Sequence, residues 1–176
     1  MGLLTALGPL AIDMYLPAFP AIVQGLNTTQ GQVERTLASY LFGLAIAQIF
    51  YGPFADRYGR KLPLVMGLSL FIIASIACGL TSSIEHLTLW RIVQAFGGAS
   101  GMVIPRAVIR DNFDTREAAK ALSVLILVMG VTPILAPLLG GQVLIFGSWR
   151  GLFAIMTICG ALLLAGVIRY MRETLP

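Results

Sequence analysis

The sequence carries little charge for its length. Of its 176 residues, 11% are Asp, Glu, Lys or Arg, whereas a soluble domain carries about 25%. There are one histidine and two cysteines, so neither a metal-ligand cluster nor a disulfide framework is expected. Cys78 and Cys159 lie in apolar runs and are predicted to pack as small residues. No phosphate-binding loop is present, and these scarcities argue against a soluble enzyme.

Long apolar runs take the place of charge. Hydrophobic residues make up 57% of the chain, and the mean hydropathy is +0.87. A membrane-spanning helix needs about 20 apolar residues, and six runs meet this requirement. The sequence predicts one all-α membrane domain over 1–176, with spans at about 3–23, 32–54, 62–80, 87–109, 121–144 and 152–170. No cleavable signal peptide is expected before the first span.

The charged residues predict the orientation of these spans. The segment Gly52-Pro-Phe-Ala-Asp56-Arg57-Tyr-Gly59-Arg60-Lys61 is expected to be a short loop at a membrane surface, because charge is costly in hydrocarbon. Cytoplasmic loops carry excess Lys and Arg, and the topology puts nine cations on one side against Arg35 and Arg150 on the other. Both termini are therefore predicted to be cytoplasmic, and no nucleic-acid partner is expected. The nine are Arg57, Arg60, Lys61, Arg106, Arg110, Arg116, Lys120, Arg169 and Arg172.

Asp13 lies near the middle of the first span. A central Asp costs about 2.5–3.5 kcal/mol on insertion scales, so we expect it to face a cavity or a partner. Pro9, Asp13 and Pro17 share one helix face, and Pro17 cannot donate a hydrogen bond to the Asp13 carbonyl, which predicts a kink there. Burial would favour the protonated carboxyl, as suits a group that exchanges protons. The alternative is a carboxyl that only satisfies backbone groups freed by the kink.

Arg91 is the cation inside the fourth span, with Gln94 one turn later. Arginine does not lose its proton, so inside the bundle it needs an anion or a wet cavity. Alternatively, its long side chain extends to the outer interface beside Trp90. The sequence leaves both possibilities open, and also leaves open a pairing with Asp13.

Proline and glycine are concentrated in the fifth span. Proline removes a helix hydrogen bond, and glycine lets a second helix approach closely. Helix packing and bending are expected, with a conformational role in addition. The residues are Gly130, Pro133, Pro137, Gly140 and Gly141, and Gly97 and Gly101 in the fourth span are expected to pack in the same way.

Together these segments resemble the major facilitator superfamily, and more narrowly the twelve-helix drug/proton antiporters of the Bcr/CflA group. Gly52–Lys61 matches the superfamily signature between the second and third helices. Asp13-Met-Tyr15-Leu-Pro17 resembles the first-helix motif of the group, and Leu89-Trp-Arg91-Ile-Val-Gln94-Ala-Phe-Gly97 resembles the fourth-helix motif. The fifth-span segment is similar to the antiporter motif, although Ala136 stands where glycine is usual, and Glu173-Thr-Leu-Pro176 is similar to the end of a first half.

The resemblance implies the N-terminal six-helix half of a transporter, built as a 3+3 inverted repeat. It implies proton-coupled multidrug efflux across the bacterial inner membrane, driven by the proton gradient without a cofactor and without enzymatic activity. Coupling would rest on Asp13, Tyr15, Arg91 and Gln94. The Gly52–Lys61 segment would gate by pairing with a helix end in the other half. The partners implied are amphipathic drug-like molecules, protons, lipid, and a second half or a second copy of this chain.

Two other functions are weighed. Ala136 keeps open a symporter or uniporter of the same superfamily. Gly98-Ala-Ser100-Gly101 has the GxSG pattern of an intramembrane serine protease, but a nucleophilic serine needs a base within hydrogen-bond reach. The single histidine, His86, precedes Ser100 on the same predicted helix, so close packing is the favoured interpretation of this segment.

Overall fold

The computed structural model describes residues 1–171 and 173. Its regular structure is helical throughout this part of the chain, and six helices are long and apolar enough to cross a membrane. Arg172, counted above among the cations, and residues 174–176 of the terminal motif lie outside the described residues. The helices are α1 (Gly2–Asp13), a 3₁₀ turn (Leu16–Ala18), α2 (Phe19–Gly25), α3 (Gln30–Tyr58), α4 (Lys61–Leu80), α5 (Ile84–Asn112), α6 (Thr115–Phe146) and α7 (Arg150–Tyr170).

The first span is broken into three pieces. The α-helix ends at Asp13, the 3₁₀ turn follows with Pro17 in its first positions, and α2 completes the crossing. Pro17 has no N–H to continue the α-helical hydrogen-bond ladder, so the break falls next to the carboxylate. Broken helices at membrane depth occur where protein or a water-filled cavity adjoins them.

Several charged segments expected to be loops are helical. α3 continues to Tyr58, α5 continues to Asn112, and only Phe113 and Asp114 separate α5 from α6. The Asp114 side chain accepts hydrogen bonds from the N–H groups of Arg116 and Glu117, and this cap starts α6 early. The charged ends are therefore helix turns that extend beyond the apolar spans.

α5 lies at the centre of the bundle. It packs against α3, α4 and α1, while α7 packs on α4 and α6 packs on α1. An inverted repeat relates the first span to the fourth and the second to the fifth, so the contacts α1–α6 and α5–α3 are equivalent in such a repeat. Large apolar side chains such as Ile126 and Leu162 remain exposed on the outside, as expected where the surroundings are hydrocarbon.

The helix ends form two opposite faces of the bundle. At one face the loop between α3 and α4 lies beside the end of α5 and the end of α7, through Arg60, Asp111 and Glu173. At the other, the Arg150 side chain donates to the carbonyls of Gly79 (2.6 Å) and Thr81 (2.8 Å). We call the first the loop face.

Candidate functional site

Arg91 lies inside the bundle and is completely buried. Its Nη1 donates to Gln94 Oε1 at 2.7 Å, and its Nη2 donates to the Ala11 carbonyl at 3.1 Å. Its Nε has no hydrogen-bond partner among the described residues, and Arg91 forms no ion pair with a carboxylate there. The interfacial position beside Trp90 is therefore not the one Arg91 adopts.

Two tyrosine rings contact the guanidinium. The Arg91 Cζ atom lies 4.3 Å from the ring centroid of Tyr15 and 4.2 Å from that of Tyr40. A desolvated cation–π contact is worth about 2 kcal/mol or more. The Tyr15 hydroxyl is hydrogen bonded to the Thr36 hydroxyl at 2.6 Å, and Thr36 in turn donates to the Val33 carbonyl. The rings therefore take the place of an anion beside the charge.

Gln94 continues the polar network away from Arg91. Its Nε2 donates to Ser75 Oγ at 2.7 Å, and Ser75 donates to the Phe71 carbonyl at 2.7 Å. Both groups are fully buried. This chain of hydrogen bonds connects α5 to α4 and fixes the amide whose oxygen binds Arg91.

The Asp13 side chain is partly exposed at the surface of the bundle and makes no hydrogen bond or ion pair with a described residue. Ala11, which is fully buried, accepts the hydrogen bond from Arg91. Two residues correspond to about 200° of helix rotation, so Asp13 points away from the face that Ala11 presents. Arg91 therefore binds the backbone two residues before Asp13, but the guanidinium and the carboxylate do not pair.

Arg60 is the centre of the loop face. Its Nε donates to Asp111 Oδ2 at 2.8 Å and its Nη1 to Asp56 Oδ1 at 2.6 Å. Desolvation opposes the charged guanidinium, but the hydrogen bonds to Asp111 and Asp56 outweigh it and raise the pKa of Arg60. Arg57 lies over the Tyr58 ring, and Lys61 donates to the Ile168 carbonyl.

Glu173 caps the start of α4. Its carboxylate accepts hydrogen bonds from the backbone N–H groups of Arg60 (2.7 Å) and Lys61 (3.0 Å). These N–H groups have no partner within the helix, because they lie at its start. The bend before it needs Gly59, whose φ of +85° is unfavourable for any residue with a side chain. Gly52, by contrast, is an ordinary helical residue with open space beside it.

The proline-rich part of α6 packs against the break in the first span. A Cβ atom at Gly140 would lie 2.6 Å from the Met14 carbonyl oxygen and 3.1 Å from Pro17. Gly130 and Gly141 have open space in the same test. α6 continues through Pro133 and Pro137, and Ala136, where the resembling motif has glycine, is fully buried.

Ser100 is not placed for nucleophilic catalysis. It donates to the Gly97 carbonyl at 2.7 Å and is fully buried. His86 lies on the same helix, and a rise of 1.5 Å per residue puts it about 21 Å away along the axis. The GxSG segment belongs to the packing of α5, as Gly97 and Gly101 do: a Cβ at either would collide with backbone, of Phe71 and of Leu4 respectively.

Several polar residues of the site were not predicted from the sequence, among them Tyr40, Ser75, Asp111 and Glu173. Tyr40 and Ser75 lie inside apolar runs with no charge to mark them. Asp111 and Glu173 lie in segments that were noted, but only their neighbours were assigned a role. A polar residue on the buried face of a span is the signal that could have identified Tyr40 and Ser75.

Comparison with known proteins identifies the family. The profile of the Major Facilitator Superfamily matches residues 1–176. The chain is 39% identical to the uncharacterized MFS-type transporter YdgK of Bacillus subtilis over 100% of its length. It is 34% identical to a bicyclomycin resistance protein homolog of Haemophilus influenzae over 99%, and 36% identical to the multidrug resistance protein MdtL of Klebsiella pneumoniae over 98%. It spans 44% of each relative, corresponding to the N-terminal part.

The fold agrees with this. A bacterial homologue of the human lysosomal transporter Spinster, solved in an inward-facing, unoccupied conformation, superimposes with a TM-score of 0.81 at 20% identity. The match covers 98% of this chain and 42% of that structure. The chain is a multi-pass membrane protein and belongs to the major facilitator superfamily, among relatives named for bicyclomycin and multidrug resistance.

Proposed function

We propose that this chain is the N-terminal half of a proton-coupled drug exporter of the bacterial inner membrane. It acts as a transporter and not as an enzyme, and it uses the proton gradient without a cofactor. Its substrates are amphipathic drug-like molecules, in keeping with the names of two relatives.

The proposal rests on the position of Asp13 and on its lack of a partner. It lies at the middle of the first span, is partly exposed at the bundle surface, and has no partner among the described residues. A charged carboxylate facing hydrocarbon at this depth would cost about 2.5–3.5 kcal/mol. This cost is removed if a second half covers Asp13 and encloses a water-filled cavity beside it. Protons and a cationic substrate would reach the carboxylate through the same cavity.

In the proposed cycle, Asp13 binds either a proton or the substrate's positive charge. Arg91 stays charged on the other side of the adjacent backbone, where it binds the Ala11 carbonyl and leaves the Asp13 carboxylate without a counter-ion. Proton binding removes the attraction between Asp13 and the substrate, and substrate release follows. Movement is accommodated at the break after Asp13, against which Gly140 of α6 packs without a side chain.

The loop face is assigned to the cytoplasm, together with both termini. Asp56 keeps 65% of its side-chain surface exposed while it binds Arg60. It can therefore accept a further contact from a helix end in the second half, as expected of a gate that closes one side of the path. Alternating access then follows from rocking of the two halves about the site.

The test uses the chain completed by a C-terminal half, expressed in a bacterium that lacks its own efflux pumps. Ethidium, an amphipathic cation, is the probe, and efflux is followed by the fall in its fluorescence after energisation. We expect efflux that stops when an uncoupler collapses the proton gradient, and that falls to background in Asp13→Asn. Glu34→Gln is the matched control, because Glu34 is an exposed carboxylate that accepts a hydrogen bond from Gln30, one helix turn away.

Three results would contradict the proposal. Efflux that persists without a gradient would remove the proton coupling, and gradient-driven accumulation would indicate a symporter. Full activity of Asp13→Asn would remove the role of the carboxylate. Expression of the six-helix chain without the second half is the remaining arm, and gradient-driven efflux from it would show that copies of this chain complete the path themselves.

A further inference from the structure

Tyr40 joins three helices at the centre of the bundle. It lies in α3 and is completely buried. Its ring faces the Arg91 guanidinium at 4.2 Å, and its hydroxyl donates to the Gly8 carbonyl of α1 at 3.3 Å. Tyr40 therefore connects the Arg91 side chain of α5 to α1 of the first span.

The charge of Arg91 is held by neutral groups. The oxygens of Gln94 and Ala11 accept two of its hydrogen bonds, and the rings of Tyr15 and Tyr40 supply their negative faces. Buried charges in proteins are usually paired with opposite charge or coordinate a metal. The two rings are what makes an unpaired guanidinium tolerable at this position.

The Asp13 carboxylate does not bind Arg91, although it lies two residues from the carbonyl that does. Arg91 reaches the carbonyl of Ala11, two residues before Asp13. In surroundings of low dielectric constant, opposite charges attract strongly, so a mobile guanidinium would turn toward that carboxylate. The two rings, themselves tied to Thr36 and Gly8, oppose this turn.

We propose that Tyr40 is a positioning residue that, with Tyr15, holds Arg91 as an unpaired cation turned away from Asp13. Asp13 then exchanges its proton without a fixed counter-ion. This rests on the proton-exchange function proposed above. Besides the two tyrosines, Cys78 of α4 is a titratable side chain that is fully buried in the bundle core. No charged or titratable side chain of the described α3, α5, α6 or α7 pairs with Asp13.

The first test is a double-mutant cycle on thermal unfolding of the completed transporter in detergent. Tyr40→Leu removes the ring, and Tyr40→Phe keeps it while losing the hydroxyl. We expect Tyr40→Leu to lower Tm clearly more than Tyr40→Phe. In an Arg91→Met background, the drop caused by Tyr40→Leu should shrink by about half or more, because interacting residues are not additive. An equal drop in both backgrounds would show that Tyr40 only fills space and would overturn the proposal.

The second test is the pH profile of gradient-driven ethidium efflux. When the ring is lost, Arg91 is free to approach Asp13 and to stabilise its ionised form. An opposite charge within about 4–6 Å shifts a carboxyl titration by about 1–3 units toward acid. We expect the acidic limb of the profile to move by about one unit or more to lower pH in Tyr40→Leu, and to stay in place in Tyr40→Phe. A profile unchanged in both would overturn the proposed effect on Asp13.

The two tests separate the failures. If the unsubstituted transporter moves no ethidium with a gradient, the proposed function fails, and the unfolding cycle still decides whether Tyr40 holds Arg91. If efflux is normal and the cycle shows no coupling, the efflux function stands and the positioning role is wrong.

Discussion

Arg60 shows how one residue can hold three segments of the chain together. Its side chain binds Asp56 of α3 and Asp111 of α5, and its backbone N–H donates to Glu173. The two aspartates differ in surroundings: the side chain of Asp111 is 25% exposed and that of Asp56 is 65% exposed. Because water screens the more exposed pair, the two contacts should differ in strength.

We predict that Asp111→Asn destabilises the protein more than Asp56→Asn does. The cost should be about 1.5–3 kcal/mol for Asp111, as for a hydrogen bond between charged groups, and at most about 1 kcal/mol for Asp56. Denaturant unfolding of both variants in the same detergent measures the difference. Equal costs would mean that exposure does not govern these contacts.

Arg91 marks the limit of what the residues alone predict. An arginine in a span indicates a functional or a snorkelling position, and the sequence does not distinguish them, because the difference depends on which face of α5 is covered. Tyr40 was missed because a tyrosine among apolar residues is typical of ordinary packing. Its contact with Arg91 arises only when α3 and α5 are placed side by side.

The packing of α6 against the break in the first span can be tested at Gly140. Gly140 lies against the Met14 carbonyl and Pro17, which are backbone and ring atoms that cannot swing aside. We predict that Gly140→Ala pushes α6 away from the break and costs about 1–3 kcal/mol, the usual cost of overpacking. Thermal unfolding and ethidium efflux of the completed transporter should both decline.

Gly141→Ala is the matched control for this element. It adds the same methyl group one residue later, where there is open space. Alanine favours a helix over glycine by up to about 1 kcal/mol, so stability should be unchanged or slightly higher. If both variants lose stability alike, α6 does not pack on the first span through Gly140.

At the level of elements, the apolar runs predicted the six spans, because the requirement of about 20 apolar residues is set by the bilayer. The helix ends were less predictable. α6 begins several residues earlier than predicted, in charged sequence, because Asp114 caps its first turn, and α3 continues through charged residues to Tyr58, where Gly59 ends it. Hydropathy does not detect helix caps. The hydrogen bond from the start of α4 to the Glu173 carboxylate depends on tertiary structure, because the two residues are far apart in the sequence.

For the whole molecule, the distribution of charge predicts the orientation. Eight of the nine cations assigned to one side are among the described residues, and all eight lie at or near helix ends of the loop face. Arg35 and Arg150 lie toward the opposite face. The excess of positive charge favours a cytoplasmic loop face.

We predict the corresponding pattern of cysteine labelling. In a background with Cys78→Ala and Cys159→Ala, single cysteines are introduced as Thr115→Cys at the loop face and His86→Cys at the opposite face, both at exposed positions. A membrane-impermeant maleimide should label His86→Cys in right-side-out vesicles and Thr115→Cys only in inside-out vesicles. The reverse pattern would place the loop face outside, and the gate assigned to Asp56 would then close the path from the external side. The continuous helix α5 separates the two positions and should cross the membrane once. Labelling of both positions from the same side would contradict this crossing.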